Sequence, residues 1–294
     1  MDRENVLISG GTGFVGRNLI AVLSDDYNSI NIGRNENNTC ENVFWDLTSD
    51  FPQNRFADGS IGRLIHCASI VGPDECVPTE RYFDINIKAT ARLLDFAIRN
   101  HVRHFVYISS GAVYGEAQTA FTENDECCPG NRYGISKYVS EMLCSHCSDK
   151  MSVTILRPFF PYGVGQTGRL IPKLMEQIIS GHTVTMNAGG LPFINPIHIS
   201  DFVSIAAQTI KQGISGIFNV SGDEMLSILD ICERIRKKLL IAKPEYVFTD
   251  NTARNVIGSN RKICDTLNYK IRMSFDEGIT ELINGCQEKG DIQV

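Results

Sequence analysis

Through the first two thirds of the chain, short runs of β-branched and other apolar residues alternate with longer segments whose apolar positions recur at helical spacing. That alternation is the pattern of a parallel sheet covered by helices on both faces. The short runs read as strands at 6–8, 29–32, 43–45, 63–67, 105–108 and 153–156. Between the fourth and fifth, Phe83, Ile87, Ala91, Leu94 and Ile98 predict one long helix over 79–100. A later helix opens at Tyr133, and Ile135, Val139, Met142 and Leu143 are expected to form its buried apolar face. After Gly163 the alternation loosens and Gly and Pro become frequent. Residues 197–210 and 217–220 are expected to return a helix and a strand to the main sheet, and 228–240 reads as helical. The expectation is an α/β chain: a doubly wound parallel sheet from 1–163 plus about 197–222, and a smaller mixed lobe from 164–196 plus about 223–294. Such sheets bind ligands at the carboxyl ends of their strands.

The 294 residues suffice for two units of ordinary size. With no long apolar run and no charged-then-apolar leader, the chain reads as a soluble cytoplasmic protein. A net charge of −6 argues against nucleic acid or an anionic membrane as its main partner. The ten cysteines lack repeated pair spacing. Cys144 and Cys147 have no second pair to complete a zinc site, so the cysteines read as reduced thiols and no metal is expected.

The densest chemistry lies at Val6-Leu7-Ile8-Ser9-Gly10-Gly11-Thr12-Gly13-Phe14-Val15-Gly16, a strand, a glycine-dense turn and the start of a helix. Gly10, Gly13 and Gly16 allow close backbone approach, and the free N–H groups around Thr12, Phe14 and Val15 favour a pyrophosphate, so a dinucleotide is expected here. The second strand closes on Gly33-Arg34 rather than on an acid. Arg34 cannot accept from a ribose hydroxyl but pairs well with a 2′-phosphate, which favours NADP and leaves NAD as the alternative. Asp46-Leu47 follows the third strand, where the adenine edge is expected. Trp45 is expected beside the adenine or in the core.

Ser109-Ser110 follows the fifth strand, and Tyr133 and Lys137 stand four apart on one helix face. An ammonium near a phenol favours the phenolate, and a serine can hydrogen-bond the same substrate oxygen. The trio suits proton exchange with an alcohol or carbonyl while hydride moves to or from a nicotinamide.

Taken together, the glycine turn, Asp46-Leu47, Ile65-His66-Cys67-Ala68-Ser69, Asn86, Ser109-Ser110 with Val113-Tyr114-Gly115, Tyr133 with Lys137, Leu156-Arg157-Pro158-Phe159 and Ile197-His198-Ile199-Ser200-Asp201 resemble the extended short-chain dehydrogenases/reductases. This family includes sugar-nucleotide epimerases, dehydratases and reductases. The resemblance implies a Rossmann-type fold with Ser110, Tyr133 and Lys137 catalytic and Tyr133 the acid/base. It further implies that Lys137 binds the nicotinamide ribose, that Cys67, Ala68, Ser69, Pro158 and Phe159 line the cofactor, and that Asn86 orders the site. It also implies a homodimer built on the helices carrying Asn86 and Tyr133.

The departures narrow the reaction. Gly111-Ala112 stand where dehydratases of the family carry an acidic pair, and Val164-Gly165-Gln166 follow the later Gly163 where bifunctional epimerase-reductases carry a histidine. A reductase using exchangeable NADPH remains, with a 4-epimerase on tightly held NAD as the alternative; a non-catalytic NADP-binding sensor is the remaining rival. The expected substrate is a nucleotide-linked 4-keto deoxysugar. Phe160 replaces the family's asparagine near the diphosphate and Ile194 its arginine, so Arg169, Lys173, Arg254 and Arg261 are the candidate partners for that charge.

Overall fold

The computed structural model describes residues 3–71, 77–251 and 253–288; the outermost residues of both expected lobes, together with 72–76 and 252, lie outside them. The elements run β1 (Glu4–Ser9), α1 (Phe14–Leu23), β2 (Tyr27–Gly33), β3 (Glu41–Phe44), β4 (Arg63–His66), α2 (Thr79–Tyr82), a π-helical segment (Phe83–Lys88), α3 (Ala89–Arg99), β5 (His104–Ile108), α4 (Arg132–His146) and β6 (Ser152–Pro158). They continue with α5 (Leu170–Ile179), β7 (Val184–Met186), β8 (Phe193–Ile194), α6 (Ile199–Gln212), β9 (Gly216–Val220), β10 (Leu226–Ser227), α7 (Ile228–Leu239), β11 (Tyr246–Phe248), α8 (Arg261–Leu267) and α9 (Phe275–Glu288).

Each of the six apolar runs forms a strand. Together with β9 they make a seven-stranded sheet in the order β3-β2-β1-β4-β5-β6-β9, with the pairs from β3 through β6 parallel. The order reverses direction at β1, where chain crossovers to either side leave the carboxyl ends of β1 and β4 open to a ligand. Strands covered on both faces must be apolar throughout, which is why Val6, Leu7, Ile8, Leu64, Ile65, Phe105 and Val106 are all fully buried. Trp45 lies one residue past β3 and is a core residue, 1% exposed and edge-on to Phe51 at 5.1 Å.

Contacts divide the chain into two compact units. One gathers the chain up to Gly115 with Glu123–Arg157 and Val203–Phe218; the other gathers Glu116–Thr122, Pro158–Phe202 and the chain from Asn219 onward. The second unit has its own apolar core, in which Ile171, Leu174 and Ile178 of α5 meet Ile231 and Ile235 of α7 and Ile279 and Leu282 of α9. Helix α7 begins in a capping box: Asp230 N donates to Ser227 Oγ at 3.0 Å while Ser227 N donates back to the Asp230 carboxylate at 3.0 Å.

Two expectations from the pattern need correction. The long helix over 79–100 is interrupted: residues 83–88 widen into a π turn, with Asn86 buried at its inner side. The apolar face assigned to α4 is buried only in part: Leu143 packs against the core and Val139 is half-buried. Ile135 and Met142 are 49% and 58% exposed, whereas Gly134, Ser136, Lys137, Ser140, Glu141 and Cys144 are buried. Periodicity selects apolar residues for the core, but here each buried polar side chain that faces inward has a partner and so escapes the usual penalty of burial.

Candidate active site

The turn after β1 is built by close backbone approach. Gly10 has φ +73°, and a Cβ there would stand 2.8 Å from the Ala68 backbone; one at Gly16 would stand 2.2 Å from the Gly10 carbonyl oxygen. The turn therefore folds tightly onto the first turn of α1. Gly13 caps α1 with no side-chain hydrogen bond, and the helix's first turn carries no acid. Its amide donors and dipole remain available to an anion, so the residues fit a dinucleotide pyrophosphate. Thr12, Phe14 and Val15 are half-buried around this turn.

Asparagines, among them Asn35 and Asn37, which the sequence offered as alternative partners for NAD, lock the turn to the loop after β2. Gly11 N donates to Asn31 Oδ1 at 3.0 Å, and Asn37 Nδ2 donates to the Gly11 carbonyl at 2.9 Å. Asn31 Nδ2 in turn donates to the Asn35 carbonyl and to Asn42 Oδ1. A polar residue inside a buried strand was the available signal. Arg34, carried by this loop, is exposed. Asp46 is held below the ordinary carboxylate range, first by its bonds from Thr48 and then by the positive charges of Arg34 and Arg81. The Leu47 carbonyl accepts from Arg92 at 3.1 Å.

At the end of β4 a fixed chain of hydrogen bonds runs into the sheet. Ala68 N donates to Ser9 Oγ at 3.3 Å, Ser9 Oγ meets His66 Nδ1 at 2.6 Å, and His66 Nε2 meets Thr90 Oγ1 at 3.0 Å. Thr90 Oγ1 donates to the Asn86 carbonyl at 2.6 Å. These directions assign the proton of a neutral His66 to Nε2; burial, then Lys137, pushes its pKa down to about 3. Asn86 grips the backbone of Ile70 at both its N–H (2.8 Å) and its carbonyl (3.1 Å), and also donates to Ser136 Oγ at 2.8 Å. The π turn gives the Asn86 carbonyl a second donor in Ser140 Oγ, at 3.1 Å. Asn86 thus ties segment 67–70, with Cys67, Ala68 and Ser69, to α4.

Ser110 follows β5 in extended backbone and accepts from Ala112 N at 3.1 Å. Helix α4 starts against that turn: a Cβ on Gly134 would lie 2.5 Å from the Ala112 carbonyl. Asn131 caps the helix by accepting from Gly134 N at 2.8 Å. Lys137, 2% exposed, donates to the Ile108 carbonyl at 2.7 Å, with its ammonium 6.0 Å from the Tyr133 ring centre. Burial pulls the Lys137 pKa down to about 8, opposed by Cys67 and Glu141. Burial pushes the Cys67 thiol up to about 12. The structure therefore brings Ser110, Tyr133, Lys137, Cys67 and Asn86 together in the first unit. It adds Glu141, one turn beyond Lys137 on the same face of α4, which the sequence reading passed over.

The other candidates belong to the second unit. Phe159 is buried, its N–H donating to the Val220 carbonyl at 2.9 Å, just after Pro158 ends β6. Phe160 is half-buried with φ 45°. Arg169 and Lys173 are exposed at the start of α5; Arg254 is exposed on a loop; Arg261 is exposed at the start of α8 and pairs with Asp265 at 3.8 Å. Ile194 is fully buried in β8. His198 is bonded through Nδ1 to Ser200 at 2.8 Å and packed edge-on against Tyr162.

No helix among the described residues is long and apolar enough to cross a membrane. The chain is 28% identical to an N-acetyl-alpha-D-glucosaminyl-diphospho-ditrans,octacis-undecaprenol 4-epimerase of Escherichia coli O157:H7, covering 80% of this chain and 72% of that one. It is 24% identical to a dTDP-4-dehydro-6-deoxyglucose reductase of Escherichia coli over 98% and 99% of the two chains. Its fold matches a UDP-glucuronic acid 4-epimerase from Bacillus cereus, solved with UDP-glucuronic acid and NAD, with a TM-score of 0.87 at 22% identity over 97% and 99% of the chains. The profile of one family spans residues 6–221, and the chain belongs to it: the NAD dependent epimerase/dehydratase family.

Proposed function

We propose that the protein is an NADPH-dependent reductase of a keto group, the 4-keto group of a nucleotide-linked deoxysugar. The observation carrying this reading is the placement of the buried Lys137 ammonium 6.0 Å from the Tyr133 ring centre and against the end of β5, two residues before Ser110, in a unit whose dinucleotide turn is followed by Arg34 instead of an acid. The bound dinucleotide would supply hydride. In this reading the Tyr133 hydroxyl gives its proton to the carbonyl oxygen, Ser110 hydrogen-bonds and orients that oxygen, and the Lys137 charge stabilises the phenolate left behind. Lys137 also meets the nicotinamide ribose. Gly10, Thr12, Gly13, Phe14, Val15 and Gly16 hold the pyrophosphate, Asp46 and Leu47 the adenine end, and Cys67, Ala68, Ser69, Pro158 and Phe159 line the nicotinamide. Arg34 pairs with the 2′-phosphate. Phe160, Arg169, Lys173, Arg254 and Arg261 are assigned to the substrate and its diphosphate. Gly111 and Ala112 offer neither acid nor base, which sets dehydration aside.

A second reading, a 4-epimerase holding NAD, is supported by the similar structure solved with NAD and a UDP-sugar. The dimer is proposed on one further observation: Ile135 and Met142 form an exposed apolar line on α4, and Phe83 is 52% exposed on the π segment packed against it.

The test is to denature the purified protein, identify any released dinucleotide, titrate the empty protein with NADPH and NADH, and follow NADPH oxidation with dTDP-4-dehydro-6-deoxyglucose. Preference for NADPH with turnover supports the reductase. Stoichiometric release of NAD, with interconversion of UDP-sugars, establishes the epimerase instead.

A further inference from the structure

Glu141 and Arg157 form an ion pair with side chains 2% and 4% exposed. Arg157 Nε donates to Glu141 Oε1 at 3.0 Å and to Oε2 at 3.2 Å, and Nη2 donates to Oε2 at 2.6 Å. Both partners reach further. Glu141 Oε1 accepts from Ser109 Oγ, and Arg157 Nη1 donates to Tyr114 Oη at 2.6 Å while the guanidinium lies 4.6 Å from that ring's centre. Ser109 and Tyr114 bracket the segment that carries Ser110. Glu141 sits one helical turn from Lys137 and two from Tyr133 on α4, whereas Arg157 lies on β6, the strand beside β5.

We propose that Glu141 and Arg157 are positioning residues of the reductase site: one buried pair ties both ends of the Ser109–Tyr114 segment to the face of α4 that carries Lys137, and so sets where Ser110 stands relative to Tyr133. The proposal rests on the assignment of Tyr133 as proton donor. Stability alone gives a weak reason for such a pair, because well-packed apolar residues of similar volume usually serve a fold as well. What apolar residues cannot supply is simultaneous, directional bonding to a serine, a tyrosine and each other across a strand, a loop and a helix. The Glu141 carboxylate also adds negative charge beside Lys137, which otherwise meets Cys67 after β4, Tyr107 on β5, and Tyr133 and Cys144 on α4, with the cationic form of His66 disfavoured. Removing that charge weakens the ammonium form of Lys137 and with it the pull on the Tyr133 phenol.

The experiment compares wild type, Y133F, E141Q, R157K and Y114F. The ultraviolet phenolate titration of wild type minus that of Y133F isolates Tyr133 without any sugar substrate. Wild type shows a step below the free tyrosine value of about 10, and E141Q moves it upward by about one pH unit. NADPH affinity stays within about threefold in every variant, while kcat with dTDP-4-dehydro-6-deoxyglucose falls about tenfold or more in E141Q and R157K and less in Y114F, with little change in KM. R157K keeps its charge but cannot bridge Glu141 and Tyr114 together, so it and Y114F carry the test if E141Q does not fold. A wild-type step that E141Q leaves in place, or R157K and Y114F with unchanged kcat, overturns the positioning role. Absence of the step in wild type, or full turnover by Y133F, overturns the assignment of Tyr133 itself.

Discussion

In the proposed reductase, Tyr133 and Arg34 divide chemistry from cofactor choice at the level of single residues. Tyr133→Phe removes the transferable proton and leaves the ring, so kcat is expected to fall by at least about a hundredfold while NADPH titrations stay near wild type. Arg34→Ala removes a charge-assisted pairing of about 1.5–3 kcal/mol, so NADPH affinity should fall about 10- to 150-fold with NADH affinity nearly unchanged. Equal losses for both dinucleotides would place Arg34 away from the phosphate. Gly16→Ala offers a steric counterpart, because its Cβ would meet the Gly10 carbonyl at 2.2 Å. Overpacking of this kind costs about 1–3 kcal/mol, and thermal melting should show that loss together with weakened dinucleotide binding. At this scale the motif residues could be read from the chain, whereas Asn31 showed only as a polar residue in a buried strand, and Glu141 and the role of His66 did not show at all. Their significance lies in partners 20, 16 and 24 residues away in the chain, and no local spacing reports such partners.

Helix α4 shows how an element can mislead. Its apolar residues recur at helical spacing, yet the face turned inward carries Ser136, Lys137, Ser140 and Glu141. Ser140 Oγ bonds the carbonyls of Asn86 and Ser136, and Ser136 Oγ bonds the Tyr133 carbonyl at 2.8 Å. With every polar group satisfied, the helix can bury chemistry and leave Ile135 and Met142 outside. If that apolar line is the homodimer interface, Ile135→Glu with Met142→Lys should weaken dimerisation by at least about a hundredfold, since anchoring residues of an interface contribute about 2 kcal/mol or more. Light scattering across a dilution series reads this directly, and an unchanged mass would remove α4 from the interface. The π segment belongs to the same scale. It retains helical apolar spacing in the sequence, and only the inward demand on Asn86, bonded to Ile70, Ser136, Thr90 and Ser140, accounts for a widened turn there.

Over the whole molecule, buried histidines set a pH dependence, to which His66 and His104 contribute most and His198, also pushed down by burial, adds. Burial holds His66 at about 3 and His104 at about 4, below the unfolded value of about 6.5. The unfolded chain therefore binds more protons than the native one in the interval between, and stability present above pH 6.5 is lost as pH falls toward those folded values. Between pH 7 and pH 5 the two together account for about 4 kcal/mol. The thermal midpoint should drop steadily over that range, and His104→Gln should remove about half of the slope that these two contribute. A flat midpoint in wild type would show that neither ring is held neutral.

The strands, the glycine turn and the pairing of Tyr133 with Lys137 follow from local pattern, because strand burial, turn geometry and i, i+4 helix spacing act over a few residues. The composition likewise marked out two units' worth of chain. Which face of α4 is buried, where the helix over 79–100 opens into a π turn, and that Glu141, Arg157, Ser109 and Tyr114 form one buried group were decided only by the tertiary structure. Burying a charge or a hydroxyl is unfavourable until a partner arrives from elsewhere in the chain, and the fold alone brings that partner into place.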